Sequence, residues 1–191
     1  MTTGKKGLLI GVGALILLIL IGVVYYYSKY NTFVQMNVEI KNASAEIENQ
    51  LQRRYDLIPN LVETVKGYAK QEKDVLVEVT NARAKVGGAG NIPDKLAAND
   101  QLSGALNRLM VVVEKYPDLK SNQNFLKLQD DLSGTENRIT VARNRYNDKV
   151  GTYNKAIAIV PGSIIAAREG FKEATFFKVE EVAKAAPKVK F

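Results

Sequence analysis

Near its start the chain carries LLIGVGALILLILIGVVYYY, Leu8 to Tyr27, a run without a single charge. About twenty such residues at about 1.5 Å rise each match a hydrocarbon core about 30 Å thick, so the run predicts a membrane-spanning helix. Both ends are marked. Tyr25, Tyr26 and Tyr27 stand where amphipathic rings favour the headgroup level, and Lys5, Lys6 and Lys29 flank the run where their ammonium groups snorkel to water. A cleaved signal peptide competes, since Lys5 and Lys6 before an apolar stretch also fit its first two regions. The run is longer than an ordinary signal core and ends in three tyrosines rather than a small-x-small cleavage site, which favours an uncleaved anchor. Lys5 and Lys6 bias the amino terminus towards the cytoplasm and leave the bulk of the chain outside it.

From Lys29 to Val86 the apolar positions recur with helical spacing, interrupted by one proline, Pro59, and one glycine, Gly67. Leu51, Ile58, Val65 and Val79 lie on one seven-residue series whose polar member is Glu72; Tyr55, Val62, Ala69 and Leu76 form a second. This predicts a long amphipathic helix continuing out of the membrane, which Pro59 either kinks or divides, with Asp56 near the N-cap of the second piece. Gly87 to Pro93 is a breaker, and Asp94 is placed to cap a second helix through Leu102, Leu106, Leu109 and Val113 to about Tyr116. After Pro117 a third helix is predicted from about Leu119 to Val160. Its seam is Phe125, Leu132, Ile139, Tyr146, Tyr153 and Val160, thickened by Leu128, Val150 and Ile157. Pro161-Gly162 ends it, and Ser163 is placed to cap a short turn, Ile164 to Arg168.

No segment alternates with period two between turn signals. The fold class is therefore all-α, an N-terminal transmembrane helix followed by a long antiparallel up-and-down helical bundle that buries every seam in a shared core. The organisation is a short basic tail at 1–7, the anchor at 8–27, the bundle at 28–168, and a C-terminal tail at 169–191, ordered in part, with a lysine-rich end that is poorly ordered.

Chemistry is bounded by what is missing. With no cysteine, histidine or tryptophan, the chain has no His/Cys zinc site, Ser-His-Asp triad or Cys-His pair. The net charge is +7, but its cations are dispersed among nearly as many acids, which is no footprint for nucleic acid. Asp130 and Asp131 point about 100° apart on a helix and cannot share one substrate. Arg168, Lys172, Lys178, Lys184, Lys188 and Lys190, interleaved with Phe171, Phe176 and Phe177, suit anionic lipid, diluted by Glu169, Glu173, Glu180 and Glu181.

Arg53, Arg54, Tyr55, Asp56 and Asn60 form the densest polar group, beside Pro59. They read as a recognition surface, or as an Arg-Asp pair steadying the proline with Tyr55 in the core seam; the second outcome is the commoner for helix ion pairs. Glu136, Asn137 and Arg138, with Arg143 and Arg145, pose the question whether they face Asp56 or Glu63 across the bundle, where buried pairs would set helix register at some cost in stability.

The stretch Gln52-Arg53-Arg54-Tyr55-Asp56-Leu57-Ile58-Pro59-Asn60-Leu61-Val62, continued through Ala69, resembles the signature of the LemA family. Asn81-Ala82-Arg83, Gln101 to Leu106, Tyr116 to Lys120, Gln129 through Ile139 and Arg145-Tyr146-Asn147 fit the same pattern, as do Tyr30-Asn31 and Phe171. The resemblance implies a bacterial envelope protein with one N-terminal membrane anchor and a helical bundle, in a family whose molecular function is largely undefined. Some relatives are anchored as lipoproteins, which places their domain outside the cytoplasm, and some are linked to building magnetic organelles. This chain departs from the lipoprotein type, having no cysteine to lipidate.

The resulting expectation is a single-pass scaffold or adaptor of the envelope, not an enzyme, with no cofactor, metal or small-molecule substrate. Its partners are membrane lipid through the anchor, and further copies or other envelope proteins. Length motivates self-association, since a helix of about fifty-five residues reaches about 80 Å, beyond what the second helix covers. The alternative is a lipid-facing module that senses or remodels the membrane surface.

Overall fold

A computed structural model describes residues 3–177, with side chains from residue 9 onward. Every regular element among them is a helix: α1 Thr3–Tyr68, α2 Lys73–Gly88, α3 Ile92–Val113, α4 Pro117–Lys120, α5 Gln123–Ala158 and α6 Gly162–Glu169. The all-α expectation holds. The side chains of Lys5 and Lys6, and the tail residues Lys178, Glu180, Glu181, Lys184, Lys188 and Lys190, lie outside the described residues.

The apolar run is the first part of α1, long and apolar enough to cross a membrane. Its side chains from Leu9 to Val24 stand exposed. Pro59 does not divide α1; it sits inside the helix. The helix ends instead at Tyr68, short of the expected Val86. Gly67 weakens it there by about 1 kcal/mol relative to alanine, and Glu72, the polar member of the seam, falls in the turn, its amide donating to the Ala69 carbonyl at 3.1 Å. Reversal at this point lets Leu76, Val79 and Val86 of α2 reach the core. Each such side chain gains about 1.5–3 kcal/mol by burial, which outweighs a few lost helical bonds.

Three further boundaries differ from the pattern. Asn91, not Asp94, caps α3: its Oδ1 accepts from the Asp94 amide at 2.9 Å while its Nδ2 donates to Asp94 Oδ2 at 2.8 Å. Pro117 opens only the single turn α4, and α5 begins later than Leu119, where Asn122 Oδ1 accepts from the Phe125 amide at 3.0 Å. Pro161 occupies the N-cap of α6 with no side-chain cap, so Ser163 does not serve as one.

The chain forms two compact units, residues 42–147 with Phe177, and residues 3–41 with 148–176. In the first, α2 runs antiparallel to α1 and α3, and α5 antiparallel to α1 and α3, an up-down-up-down bundle. The pairs Lys85 with Gln101 and Arg108 with Glu78 set α2 against α3, and Arg145 with Glu46 and Asn122 with Tyr68 set α5 against α1. Its core includes Ile58, Leu61, Val65, Val79, Leu102, Leu109, Leu119 and Phe125. The segment's end, Phe177, is held by Asn147, whose Oδ1 accepts from the Phe177 amide and whose Nδ2 donates to its carbonyl, both at 2.9 Å.

In the second unit Phe33, Ile40, Val150, Tyr153, Ile157, Ile165 and Ala166 are buried. α6 packs so closely that a Cβ on Gly162 would stand 2.3 Å from the Ala156 carbonyl oxygen and 3.1 Å from Phe33 Cζ. Gly170, at φ +76°, turns the chain after α6, and residues 171–177 carry no regular structure. They are nevertheless docked. Phe171 meets Tyr30 and Phe33 edge to face, with ring centroids 5.7 and 5.5 Å apart, and Asn154 bonds both the amide and the carbonyl of Ala174 at 2.9 Å.

Candidate functional site

The polar residues singled out from the sequence divide sharply by depth. Arg54 is only 4% exposed, because it takes a seam position on α1 with Ile47 and Leu61 seven residues to either side, both buried. Its Nη1 donates to Asn99 Oδ1 at 2.8 Å and Ser103 Oγ at 3.0 Å, both on α3, and to Glu136 Oε2 on α5. Ser103 Oγ in turn lies 3.1 Å from the Asn99 carbonyl and 3.3 Å from Glu136 Oε2, with one proton to give to either. Three helices thus meet at one polar layer inside an apolar bundle.

Burial pushes the Arg54 guanidinium below arginine's ordinary range, opposed by the carboxylates of Glu136 and Asp100. It stays charged, since an arginine does not deprotonate near neutrality. Arg54 Nε and Asn99 Nδ2 are buried without a hydrogen-bond partner. A charge in this setting costs desolvation, which one close carboxylate offsets incompletely.

Glu136 is 39% exposed and forms one wall of an open groove of about 410 Å³ between α3 and α5. Asn107 and Ser103 face it from α3, and Gln129, Ser133 and Asn137 from α5, over Leu106 and Leu132. The groove offers amide and hydroxyl groups of both polarities rather than a concentrated charge. Among the described residues no three carboxylates gather where one metal ion could sit.

The other expected members lie elsewhere. Arg53 is exposed and 3.9 Å from Asp131; Asp56 accepts from Gln52 Nε2 at 2.9 Å; Asn60 and Arg138 are exposed. Neither Asp56 nor Glu63 faces Glu136, whose partner is Arg54, while Arg145 meets Glu46 and Arg143 approaches Asp100 at 3.8 Å.

Pro59 is steadied, but not by an Arg-Asp pair. Lacking an amide hydrogen, it leaves the carbonyl four residues back, that of Tyr55, without its helical donor. Arg83 Nε on α2 donates to that carbonyl at 3.0 Å, and its guanidinium lies 3.8 Å over the Tyr55 ring. A side chain from a neighbouring helix replaces the missing backbone bond. Arg83, Asn99 and Ser103 carry the site together with Arg54, and of these the sequence pattern had marked only Arg54 and, within a motif, Arg83 and Ser103.

The model of the LemA family matches residues 43–191, which contain the whole of this polar layer. The chain belongs to the LemA family. Among curated relatives, Magnetosome protein MamQ 2 and MamQ 1 of Paramagnetospirillum magneticum are each 29% identical to this LemA-family chain over 176 residues, covering 78% of it and 65% of their own length. Protein LemA of Metamycoplasma hominis is 29% identical over 119 residues, covering 59% of the chain and 53% of that protein. The chain therefore spans somewhat under two thirds of the relatives it matches.

Proposed function

We propose that this chain is a non-enzymatic, membrane-anchored scaffold or adaptor of the bacterial cell envelope, with its bundle outside the cytoplasm. The observation that carries this is where the folded structure begins. The Tyr26 hydroxyl, at the end of the apolar run, donates to Glu169 Oε1, and Phe171 packs on Tyr30 and Phe33. The unit containing the anchor is thus built from the anchor's own last turn, with no linker between. Such seating suits a part of fixed placement better than a domain that must search for soluble substrates.

The polar layer supports the same reading, because Arg54 Nη1, Asn99 Oδ1, Ser103 Oγ and Glu136 Oε2 are engaged with one another. The α1 seam positions Phe33, Ile40, Ile47, Leu51, Ile58, Leu61 and Val65 are all buried within the chain. Surplus seam is therefore not the surface for further copies, and contacts with them or with other envelope proteins fall on the polar exterior. An association with a membrane-bounded cell structure, carried over from the name of the MamQ magnetosome proteins, belongs to this proposal.

Photo-crosslinking from Asn107 and Gln129 in intact membranes, with light scattering of the full chain in detergent, tests the scaffold role. Adducts of defined mass with a second copy or a small set of envelope proteins are expected. A strictly monomeric particle with no adduct from either position would sink it. Protease added to spheroplasts should digest the bundle, and protection there would overturn its placement outside the cytoplasm.

A further inference from the structure

Three large apolar side chains stand open within six residues of the anchor-containing unit: Ile159 at 55%, Val160 at 75% and Ile164 at 65% exposure. Each forgoes the gain that burial would bring, and three so close in sequence make a patch rather than scattered exposure. Their neighbours fix where the patch lies. α5 runs along α1 towards the anchor, with Lys149 Nζ 2.7 Å from Glu39 Oε2 and the Ala156 carbonyl pressed on Gly162 beside Phe33. Ile159 and Val160 follow at the end of that descent. α6 then continues from Gly162, beside Phe33, to Glu169, bonded to Tyr26, which sets Ile164 between those two levels. From Tyr26 to Phe33 is about 10 Å of helix, and the headgroup layer beyond the hydrocarbon core is about 5–8 Å thick. The patch therefore stands at the height of the headgroups if α1 spans the bilayer.

Ile165 and Ala166, on the other side of α6, are buried against the unit's own core, so Ile164 is not a core residue left ajar. The charges around the corner are mixed, Lys29, Lys155, Arg168 and Lys172 against Glu169 and Glu173, with Arg168 and Glu169 3.8 Å apart. The positive excess is small beside three open aliphatic side chains, so the attraction is chiefly an apolar one.

We infer that the α5–α6 corner is a second membrane contact, seating Ile159, Val160 and Ile164 in the headgroup layer beside the anchor. The inference rests on the anchor reading above. Insertion of these three side chains holds the unit against the bilayer at two points, the transmembrane helix and the corner, and needs no anionic lipid.

The absence of tryptophan from the chain makes the test direct. Single tryptophans are placed by Val160→Trp and Ile164→Trp at the corner, by Leu17→Trp in the anchor, and by Val111→Trp, 68% exposed on α3, as the water-facing reference. All sites are open, so folding is not at stake. The full-length variants are reconstituted in phosphatidylcholine vesicles without labelled lipid, with lipids spin-labelled near the headgroup to report on the corner, and with lipids spin-labelled deep in the acyl chain to report on Leu17→Trp, which lies near the bilayer centre. The expected result is blue-shifted emission and lipid quenching at positions 160 and 164, with iodide quenching lost relative to Val111→Trp. Emission and iodide quenching equal to those of Val111→Trp, while Leu17→Trp is quenched by lipid, would overturn the corner contact alone. Absence of lipid quenching at Leu17→Trp overturns the anchor reading and the corner with it. Quenching at the corner only after phosphatidylglycerol is added overturns the apolar contact.

Discussion

Arg83 and Pro59 are coupled through an atom that belongs to neither, the Tyr55 carbonyl oxygen. Arg83→Ala should lower stability by about 1–2 kcal/mol, the sum of one hydrogen bond and a stacked cation. In a Pro59→Ala background, where the restored amide supplies the carbonyl from within α1, the same change should cost distinctly less; equal costs in denaturant melts of the double-mutant cycle would break the link. Arg54 and Glu136 follow a second logic. Glu136→Leu alone strands a buried guanidinium and should cost about 2–3 kcal/mol, below the figure for a fully buried pair because water reaches Glu136, whereas Arg54→Met with Glu136→Leu should recover most of the loss. Much of this was present in the sequence as spacing. Arg54 lies seven residues from Ile47 and from Leu61, and that alignment marks it as a core position. The grouping of Arg53 to Asp56 as a surface cluster hid it, since neighbours in sequence on a helix point about 100° apart. Asn99 gave the same signal, seven residues before Leu106, but its partner could be known only from the packing of α3 against α1 and α5.

Among the elements, α6 is held most tightly by the absence of a side chain. Gly162→Ala would drive a Cβ into a backbone oxygen that has no freedom to yield, and a loss of about 1–3 kcal/mol is expected in thermal melts. Gly104→Ala and Gly134→Ala, where nothing lies within 4 Å, should instead be neutral or raise stability by up to about 1 kcal/mol. The docked segment 171–177 depends on two asparagines of α5. Asn154→Ala removes both bonds to Ala174, so chymotrypsin should cut after Phe171 or Phe176 faster than in the parent, with helix content unchanged; an unaltered rate would show that the aromatic contacts alone hold the segment. Helical character was readable from the apolar spacing along α1, α2, α3 and α5, but the division between α1 and α2, the single turn α4 and most helix ends were not. Pro59 looked like the break and was tolerated because Arg83 repairs it, while the true turn was signalled by a polar residue in an apolar series, Glu72, just beyond Gly67. Asn91 and Asp94 share the capping of α3 reciprocally, so the acidic residue taken alone marks the helix start three residues late.

At the scale of the whole molecule, alkaline pH should act on both units. Burial pushes the Tyr146 and Tyr153 hydroxyls above tyrosine's ordinary 10.0. Folding therefore favours their protonated forms, and the stability this represents is fully present below pH 10.0 and is lost as pH rises through the folded-state values. Tyrosinate absorbance followed alongside circular dichroism should show these two groups ionising together with helix loss, and Tyr146→Phe should move the alkaline midpoint upward. The hydrogen bond between Tyr26 and Glu169 has a mechanical consequence. A domain on a flexible leash keeps its own heading whatever its anchor does. Here the leash has no length, so on the proposed anchoring a tilt that a thinner bilayer imposes on the apolar run would turn α6 in the same sense, the hydrogen bond leaving no slack between them.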